Sequence, residues 1–194
     1  MRPLFRPLLY CLLAYALLVS GLGMVGFVGP DEPRYADVAR AMFRSGDYVT
    51  PRLFGEPWFE KPPLYYWLAA LSFQFGGVSE TTARLPSALF AAVFLGLWFW
   101  FAQRFYGTRA AQFSCLMLAT ALGWIGFARA AAMDMLLTTT LGAALALLAL
   151  WLWEQRPAGL YGFYSLLALA TLAKGPLALA LAGMVVVGYV VHFR

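Results

Sequence analysis

Charge is scarce in this chain. Only 12% of its 194 residues are charged, nine are acidic and one is a histidine, whereas 62% are hydrophobic and the mean hydropathy is +0.72. This composition excludes a soluble domain, which needs a polar surface around its core, and is typical of a membrane protein. The net charge of +5 suits contact with anionic membrane lipid, and nothing in the sequence indicates nucleic-acid binding.

Cysteine and histidine, the commonest ligands of transition metals, are also nearly absent. Cys11 and Cys115 lie within apolar runs, so we predict that they are small buried residues rather than a disulfide or a metal pair. The single histidine, His192, stands near the C-terminal end and fits an interfacial side chain. A functional site must therefore be sought among the carboxylates and the lysine and arginine side chains.

Long uncharged runs recur along the chain, and a helix needs about 20 apolar residues to cross a bilayer. They predict an all-α polytopic fold with six transmembrane helices, at 8–28, 85–103, 110–128, 135–153, 157–173 and 175–193, and one transmembrane region over residues 1–194. The first run could instead be a signal peptide, but its length and the lack of a small-x-small cleavage site before Asp31 favour a retained span.

A seventh uncharged run, 62–79, is too short to be a span. It starts at Pro62-Pro63, and its continuous apolar part, 64–73, holds only ten residues. We predict an interfacial or re-entrant helical hairpin, within an outer loop over 29–84. The positive-inside rule then favours a cytoplasmic N-terminus, because more cations fall at the cytoplasmic ends (Arg2, Arg6, Arg104, Arg109, Arg156, Arg194) than in the short outer segments (Arg84, Arg129, Lys174).

The outer loop concentrates the acidic residues. It contains Asp31, Glu32, Asp37, Asp47, Glu56 and Glu60. Its first part predicts an amphipathic helix on the membrane surface, with an apolar stripe formed by Tyr35, Val38, Ala39, Met42 and Phe43. Asp31 can cap this helix and Gly46 can end it. Asp31 and Glu32 then have two interpretations, as helix-terminal acids or as functional carboxylates.

Carboxylates and cations are predicted to share the outer membrane face. Lys61 closes the loop in a Glu-Lys-Pro-Pro run, where the prolines fix the backbone, and Asp134 begins a span. Such a set suits an anionic lipid-linked substrate, because cations can hold a phosphate while an acid handles a proton. The alternatives are structural. Arg84 can be a snorkelling anchor, Arg129 an anchor or the ion-pair partner of Asp134, and Asp134 a helix N-cap.

Five short motifs follow one another along the chain. They are Asp31-Glu32-Pro33-Arg34-Tyr35, Lys61-Pro62-Pro63-Leu64-Tyr65-Tyr66-Trp67, Ala83-Arg84-Leu85-Pro86, Met133-Asp134-Met135-Leu136-Leu137-Thr138 and Leu172-Ala173-Lys174-Gly175-Pro176. In this order they resemble the N-terminal half of glycosyltransferase family 39, which includes bacterial lipid A aminoarabinose transferases and dolichyl-phosphate-mannose protein mannosyltransferases. The aminoarabinose branch is the more similar of the two.

The resemblance implies a C-type glycosyltransferase in the bacterial inner membrane, with the loop 29–84 in the periplasm. The implied reaction is an inverting transfer of a sugar from a polyprenyl-phosphate donor to a lipid A-like glycolipid, another glycan or a protein hydroxyl. Family members are typically more than twice as long as this chain, with further spans and a C-terminal soluble domain. The sequence is therefore predicted to be a fragment, a truncated product or a stand-alone half.

The same resemblance suggests roles for individual residues. Asp31 matches the catalytic carboxylate and Asp134 a second acidic position, and the residues implied in substrate binding are Lys61 (at the donor phosphate), Tyr35, Glu32, Arg34, Lys174 and Arg84. Glu60 matches a position associated with metal in the aminoarabinose branch. A metal normally needs several protein ligands, and the only histidine, His192, lies near the far cytoplasmic end, so the residues do not support a metal and a divalent cofactor is left as an open alternative.

Two other classes of function compete with a transferase. A transporter or channel subunit places charges in the middle of its spans, around the bilayer centre, and no Asp, Glu, Lys or Arg lies in the middle of a predicted span here. An inactive membrane scaffold would keep the fold without the chemistry. Whether the reading frame continues into further spans separates these hypotheses most cheaply.

Overall fold

The computed structural model describes residues 15–193, which are mostly helical. A short π-helical turn, Tyr15–Val19, comes first, and one two-stranded antiparallel β-hairpin lies among the helices. The elements that follow the turn are α1 (Asp31–Ser45), β1 (Arg52–Leu53), β2 (Glu56–Pro57), α2 (Leu64–Gly76), α3 (Glu80–Thr120), α4 (Leu122–Ala128), α5 (Asp134–Glu154), α6 (Pro157–Lys174) and α7 (Leu177–Phe193).

Two helices among the described residues, α3 and α5, are long and apolar enough to cross a membrane, and α7 is a shorter apolar helix. Helix α3 is interrupted at Gly107, whose φ of 81° is a left-handed conformation that glycine adopts without strain. Its two arms correspond to the predicted spans at 85–103 and 110–128, although Ala121 separates the second arm from α4. The predominantly helical fold is confirmed, with one short β-hairpin added, and the count of six spans stays a prediction.

The first predicted span does not continue as a helix. Its residues 8–14 lie outside the described part of the chain, and residues 20–28 form turns and irregular backbone after the π-helical turn. The prediction of helix over 20–28 is therefore wrong. Hydropathy favoured it, but Arg84 donates hydrogen bonds to the carbonyl oxygens of Leu22, Val25 and Gly26, which satisfies those oxygens without a helix.

The amphipathic helix predicted within 29–84 is confirmed as α1. Its predicted apolar stripe is buried at Tyr35, Val38, Ala39 and Met42. Gly46 ends the helix, and its backbone N–H donates a hydrogen bond to the Met42 carbonyl oxygen at 2.9 Å. The capping role of Asp31 is not borne out, because Pro30 holds the N-cap position without a side-chain cap. The predicted hairpin over 62–79 is instead the single helix α2, which packs against α1.

Helices α5 and α6 form the closest pair and run antiparallel. A Cβ added at Gly159 of α6 would lie 2.6 Å from the carbonyl oxygen of Leu147 on α5, so only glycine permits this approach. Ion pairs of Glu154 with Arg104 and Arg156 mark one end of the helices. The pair between Lys174 and Asp134 marks the other end, where α1 also begins.

Candidate functional site

Most of the predicted site residues meet at that second end of the helices. Asp31 is the first residue of α1, Asp134 the first of α5 and Lys174 the last of α6. The Lys61 loop reaches the same place, because the Pro62 ring lies 3.7 Å from the Cβ position of Gly175. We call this group the polar cluster, which comprises Asp31, Tyr35, Glu60, Lys61, Asp134 and Lys174.

Each lysine of the polar cluster has a carboxylate partner. Lys61 Nζ lies 3.1 Å from Glu60 Oε1, and Lys174 Nζ contacts Asp134 Oδ1. Asp31 is held more loosely, with 60% of its side chain exposed and Arg34 Nη1 at 3.4 Å from Oδ1. The cluster therefore presents two ammonium groups and three carboxylates, of which Asp31 is the most exposed and has no lysine partner. Such a surface can bind a phosphate and accept a proton beside it.

Electrostatics link these groups to the buried Tyr35. Burial raises the pKa of the Tyr35 hydroxyl, the carboxylates of Asp31, Glu60 and Asp134 raise it further, and Lys61 opposes them. The hydrogen bond to Glu60 raises the pKa of Lys61 against the effect of burial. At neutral pH the Tyr35 hydroxyl is thus a neutral hydrogen-bond donor, and Lys61 carries its full positive charge.

Glu32 and Arg84 form a buried ion pair beneath the polar cluster. Arg84 Nε and Nη2 donate to the two carboxylate oxygens of Glu32, at 2.9 and 2.7 Å. The backbone N–H groups of Ala131 and Val28 donate to the same oxygens, at 2.6 and 2.7 Å. One carboxylate therefore joins α1 to the segment before α5, which positions Asp31 and Asp134 relative to each other.

Arg84 has no donor left for a ligand. Its remaining N–H groups bind the carbonyl oxygens of Leu22 and Val25, both at 2.6 Å, and of Gly26, at 2.9 Å. All five guanidinium N–H groups are thus used inside the protein. The prediction that Glu32 and Arg84 contact substrate is not supported, and neither is the snorkelling anchor, because both side chains are buried structural links.

The Glu32 carboxyl predicts a pH dependence of stability. Burial alone would raise its pKa, but hydrogen bonds from Arg84, Ala131 and Val28 outweigh burial and lower the pKa below the ordinary value of 4.5. The stabilisation is complete above the unfolded-state pKa and is lost as the pH falls through the lower folded-state pKa. We expect the melting temperature to fall below about pH 4.5, and the Glu32→Gln variant to show a flatter profile there. If the melting temperatures of wild type and Glu32→Gln fall in parallel below that pH, the Glu32 carboxyl does not cause the loss of stability.

Asp134 and Arg129 do not pair with each other. Arg129 Nη1 donates to the carbonyl oxygen of Leu17 at 3.1 Å, whereas Asp134 contacts Lys174. Asp134 is also not an N-cap, because Met133 occupies that position and no side chain caps the helix. Asp134 is therefore held by a neighbouring helix, which keeps its carboxylate at the surface of the polar cluster.

An aromatic group lies against the polar cluster. The rings of Tyr35, Trp58, Tyr65 and Tyr66 have centroids 6.1–6.4 Å apart in five pairs. Tyr65 and Tyr66 are fully buried, whereas Trp67 is exposed. Trp58 was not predicted as a site residue, because an isolated loop aromatic has no periodic signal. Only its place two residues before Glu60 could have indicated it.

The described residues do not form a metal site. Among residues 15–193, no group of three His, Cys, Asp or Glu side chains lies close enough together to hold a metal ion. The Glu60 carboxylate instead lies beside the Lys61 ammonium, whose charge opposes a cation there. The donor set therefore does not fit the divalent metal considered for Glu60, and no chemical step is assigned to one.

The sequence and the fold are similar to those of known transferases. Residues 60–194 match the family model described as dolichyl-phosphate-mannose-protein mannosyltransferase. The undecaprenyl phosphate-alpha-4-amino-4-deoxy-L-arabinose arabinosyl transferase of Aeromonas hydrophila is 34% identical over 170 residues, which cover 85% of this chain and 31% of that protein. Its counterpart in Edwardsiella ictaluri is 34% identical over 172 residues, with the same coverage.

Two crystal structures of ArnT from Cupriavidus metallidurans share the fold. The structure bound to undecaprenyl phosphate has a TM-score of 0.89 and 33% identity, covering 98% of this chain and 36% of that one. The apo structure has a TM-score of 0.88 and 34% identity, covering 96% of this chain and 36% of that one. The chain thus spans about a third of the length of these relatives.

Proposed function

Since the chain belongs to the dolichyl-phosphate-mannose-protein mannosyltransferase family, we propose that it provides the donor site of a membrane glycosyltransferase. The donor is a sugar linked to a polyprenyl phosphate, and the acceptor is a hydroxyl group of a lipid A-like glycolipid, another glycan or a protein. The relatives' names and the undecaprenyl phosphate bound to ArnT support this donor class. The observation that carries the proposal is the polar cluster, with two ammonium groups beside Asp31, the most exposed carboxylate and the one without a lysine partner.

The two lysines have the chemistry of a phosphate site. Lys61 is charged at neutral pH and anchored by Pro62 against the turn that follows Lys174. As the sugar leaves, negative charge builds on the phosphate oxygen, and a fixed ammonium stabilises that charge more than it stabilises the bound donor. Each lysine must first exchange its carboxylate partner for the phosphate. Lys61 and Lys174 are thus the donor-binding residues.

Asp31 is placed to accept a proton. The acceptor hydroxyl oxygen attacks the anomeric carbon opposite the phosphate, and the bond between that carbon and the phosphate oxygen breaks with its electron pair on the oxygen. The hydroxyl proton passes to the Asp31 carboxylate. Asp31 suits this role because it is largely exposed and held only by Arg34 at 3.4 Å. The phosphate leaves without a proton donor, and Asp134 holds Lys174 only until the donor phosphate takes its place.

Reconstituted protein tests the function. We expect purified protein in liposomes to release undecaprenyl phosphate from an undecaprenyl-phosphate aminoarabinose donor when a lipid A acceptor is present. Donor binding without release would favour the inactive scaffold. A protein that neither binds nor consumes the donor would contradict the proposed function.

We further propose that the protein lies in the bacterial inner membrane, with six spans and the polar cluster on the periplasmic face. Single reporter cysteines in a variant lacking Cys11 and Cys115 test this arrangement. We expect an impermeant thiol reagent to label positions 46 and 76 from the periplasm and position 107 only after the cells are opened. Labelling of position 107 in intact spheroplasts would refute the six-span topology.

A further inference from the structure

The tip of the β-hairpin carries a strained aromatic residue. Phe54 and Gly55 connect β1 to β2, and both have positive φ angles, of 53° and 90°. A two-residue hairpin turn of this kind favours asparagine followed by glycine, because a bulky side chain is strained at positive φ. Phe54 is also 89% exposed, so its ring gains little from packing. An aromatic residue at a strained and exposed position points to a role outside folding.

Phe54 borders a cavity beside α1. The cavity has a volume of about 570 Å³ and lies between α1, the hairpin tip and the start of α3, with Phe27 and Val78 as further apolar walls. Pockets of roughly 300–1,000 Å³ are typical of sites for small molecules. The strained ring therefore forms part of the wall of a space that is large enough for a sugar.

The cavity adjoins the carboxylate that the proposed function assigns as the base. Arg34 lines the cavity, and its Nη1 atom lies 3.4 Å from Asp31 Oδ1. Neither Lys61 nor Lys174 is among the described residues that line it. Asp31 is therefore next to two different spaces, the surface with the two lysines assigned to the donor and a cavity that the donor site does not use.

The cavity combines charged groups of both signs with an aromatic ring. Arg40 and Asp37 line it on α1 and Glu80 at the start of α3, and Arg40 Nη2 contacts the Asp37 carboxylate, a contact that an amide oxygen would also make. A guanidinium has five N–H donors, so Arg40 retains donors for a phosphate. The Glu80 carboxylate can accept hydrogen bonds from sugar hydroxyls, and the Phe54 ring can pack against the C–H face of a sugar. The acids oppose a wholly anionic ligand, so the set fits a phosphorylated sugar best.

We propose that this cavity binds the acceptor, the phosphorylated sugar of a glycolipid, with the Phe54 ring against the sugar and Arg40 at its phosphate. The inference rests on the proposed function, which places the base at Asp31. The acceptor hydroxyl then approaches Asp31 from the side of Arg34, while the donor phosphate is held by the two lysines. Phe54 thus determines acceptor specificity and takes no part in donor binding.

Phe54→Asn separates acceptor binding from folding. Asparagine adopts the left-handed conformation more readily, so the melting temperature should stay constant or rise. The KM for a lipid A acceptor should rise about tenfold with little change in kcat, because a contact to the bound acceptor is lost. Phe54→Tyr keeps the ring and should retain the wild-type KM. An unchanged acceptor KM in Phe54→Asn, or a lowered melting temperature, would overturn the assignment.

Val49→Asn is the matched control. Val49 lies in the same loop, is 83% exposed and is not among the described residues that line the cavity. Its replacement removes exposed apolar surface away from the cavity, so the acceptor KM should stay at the wild-type value. If Val49→Asn and Phe54→Asn raise the acceptor KM equally, contact of the loop with the lipid surface explains both effects and the inference is wrong.

Binding of lipid A without any donor separates this inference from the proposed function. Wild-type protein should prefer lipid A to dephosphorylated lipid A, and Arg40→Gln should lose most of this preference. Phe54→Asn should weaken the binding of both about tenfold and leave the binding of undecaprenyl phosphate unchanged. A protein that binds lipid A in this way but transfers no sugar contradicts the proposed function alone. Equal binding of lipid A by wild type and both variants, or transfer to a protein hydroxyl instead, contradicts the inference alone.

Discussion

Asp31→Asn is expected to reduce sugar transfer by about 10²- to 10⁴-fold, the range for removal of a general base. An amide keeps the shape of the carboxylate but cannot take up the proton of the acceptor hydroxyl. The substitution should leave folding intact, because the Asp31 side chain makes no capping hydrogen bond and its one ion pair, with Arg34, is long at 3.4 Å. Loss of its charge from the first turn of α1 should cost only about 0.3–1 kcal/mol of stability.

Asp37→Asn is the control for that measurement. Asp37 lies on the same helix and pairs with Arg40, outside the polar cluster. Its replacement should leave transfer near the wild-type rate. Rates for wild type and both variants, measured with equal amounts of membrane-inserted protein, decide the role of Asp31. Near-wild-type transfer by Asp31→Asn would show that Asp31 is a helix-terminal acid without a catalytic role.

Lys61→Met is expected to lower turnover about a hundredfold. Methionine keeps much of the stem and loses the charge, and the loss of one fixed electrostatic partner of a developing anion commonly has this effect. Lys61→Arg should be partly active, since the charge remains while its geometry changes. Because the phosphate charge grows during the reaction, kcat should fall more than KM rises.

Arg52→Met separates a phosphate contact from simple attraction to lipid headgroups. Arg52 is an exposed cation of the same loop, and its guanidinium donates to the carbonyl oxygen of Gly55 at 3.2 Å. One basic residue near an anionic surface contributes about 1 kcal/mol of attraction. If Lys61 were only such an anchor, Lys61→Met and Arg52→Met would have similar small effects on turnover.

Features that depend on neighbouring residues in the sequence could be predicted. Helix α1 follows from a stripe with helical spacing and from Gly46 at its end. The gathering of Asp134 and Lys174 at one end of the helices follows from the alternation of apolar runs with charged turns. The five ordered motifs were enough to identify the family.

Features that depend on contacts between residues far apart in the sequence could not be predicted. Glu32 and Arg84 are 52 positions apart in the sequence. The sequence around either residue does not indicate that the Glu32 carboxylate and all five N–H groups of the Arg84 guanidinium are hydrogen-bonded inside the protein. The same arginine explains why 20–28 is not helical, since hydropathy takes no account of a side chain that replaces backbone donors. Tyr66 likewise cannot be distinguished from Tyr65 in the sequence, because only the structure shows that one hydroxyl is bonded and the other is not.

The most direct test of the donor site is the binding of undecaprenyl phosphate compared with undecaprenol, the same chain without the phosphate. Both lipids are titrated into wild-type protein and the Lys61→Met variant in neutral detergent. A donor site at the polar cluster predicts that wild-type protein prefers the phosphate by at least about tenfold and that Lys61→Met loses most of this preference. Equal affinity of wild-type protein for the two lipids, or an unchanged preference in Lys61→Met, would contradict the assignment of the polar cluster as a polyprenyl-phosphate site.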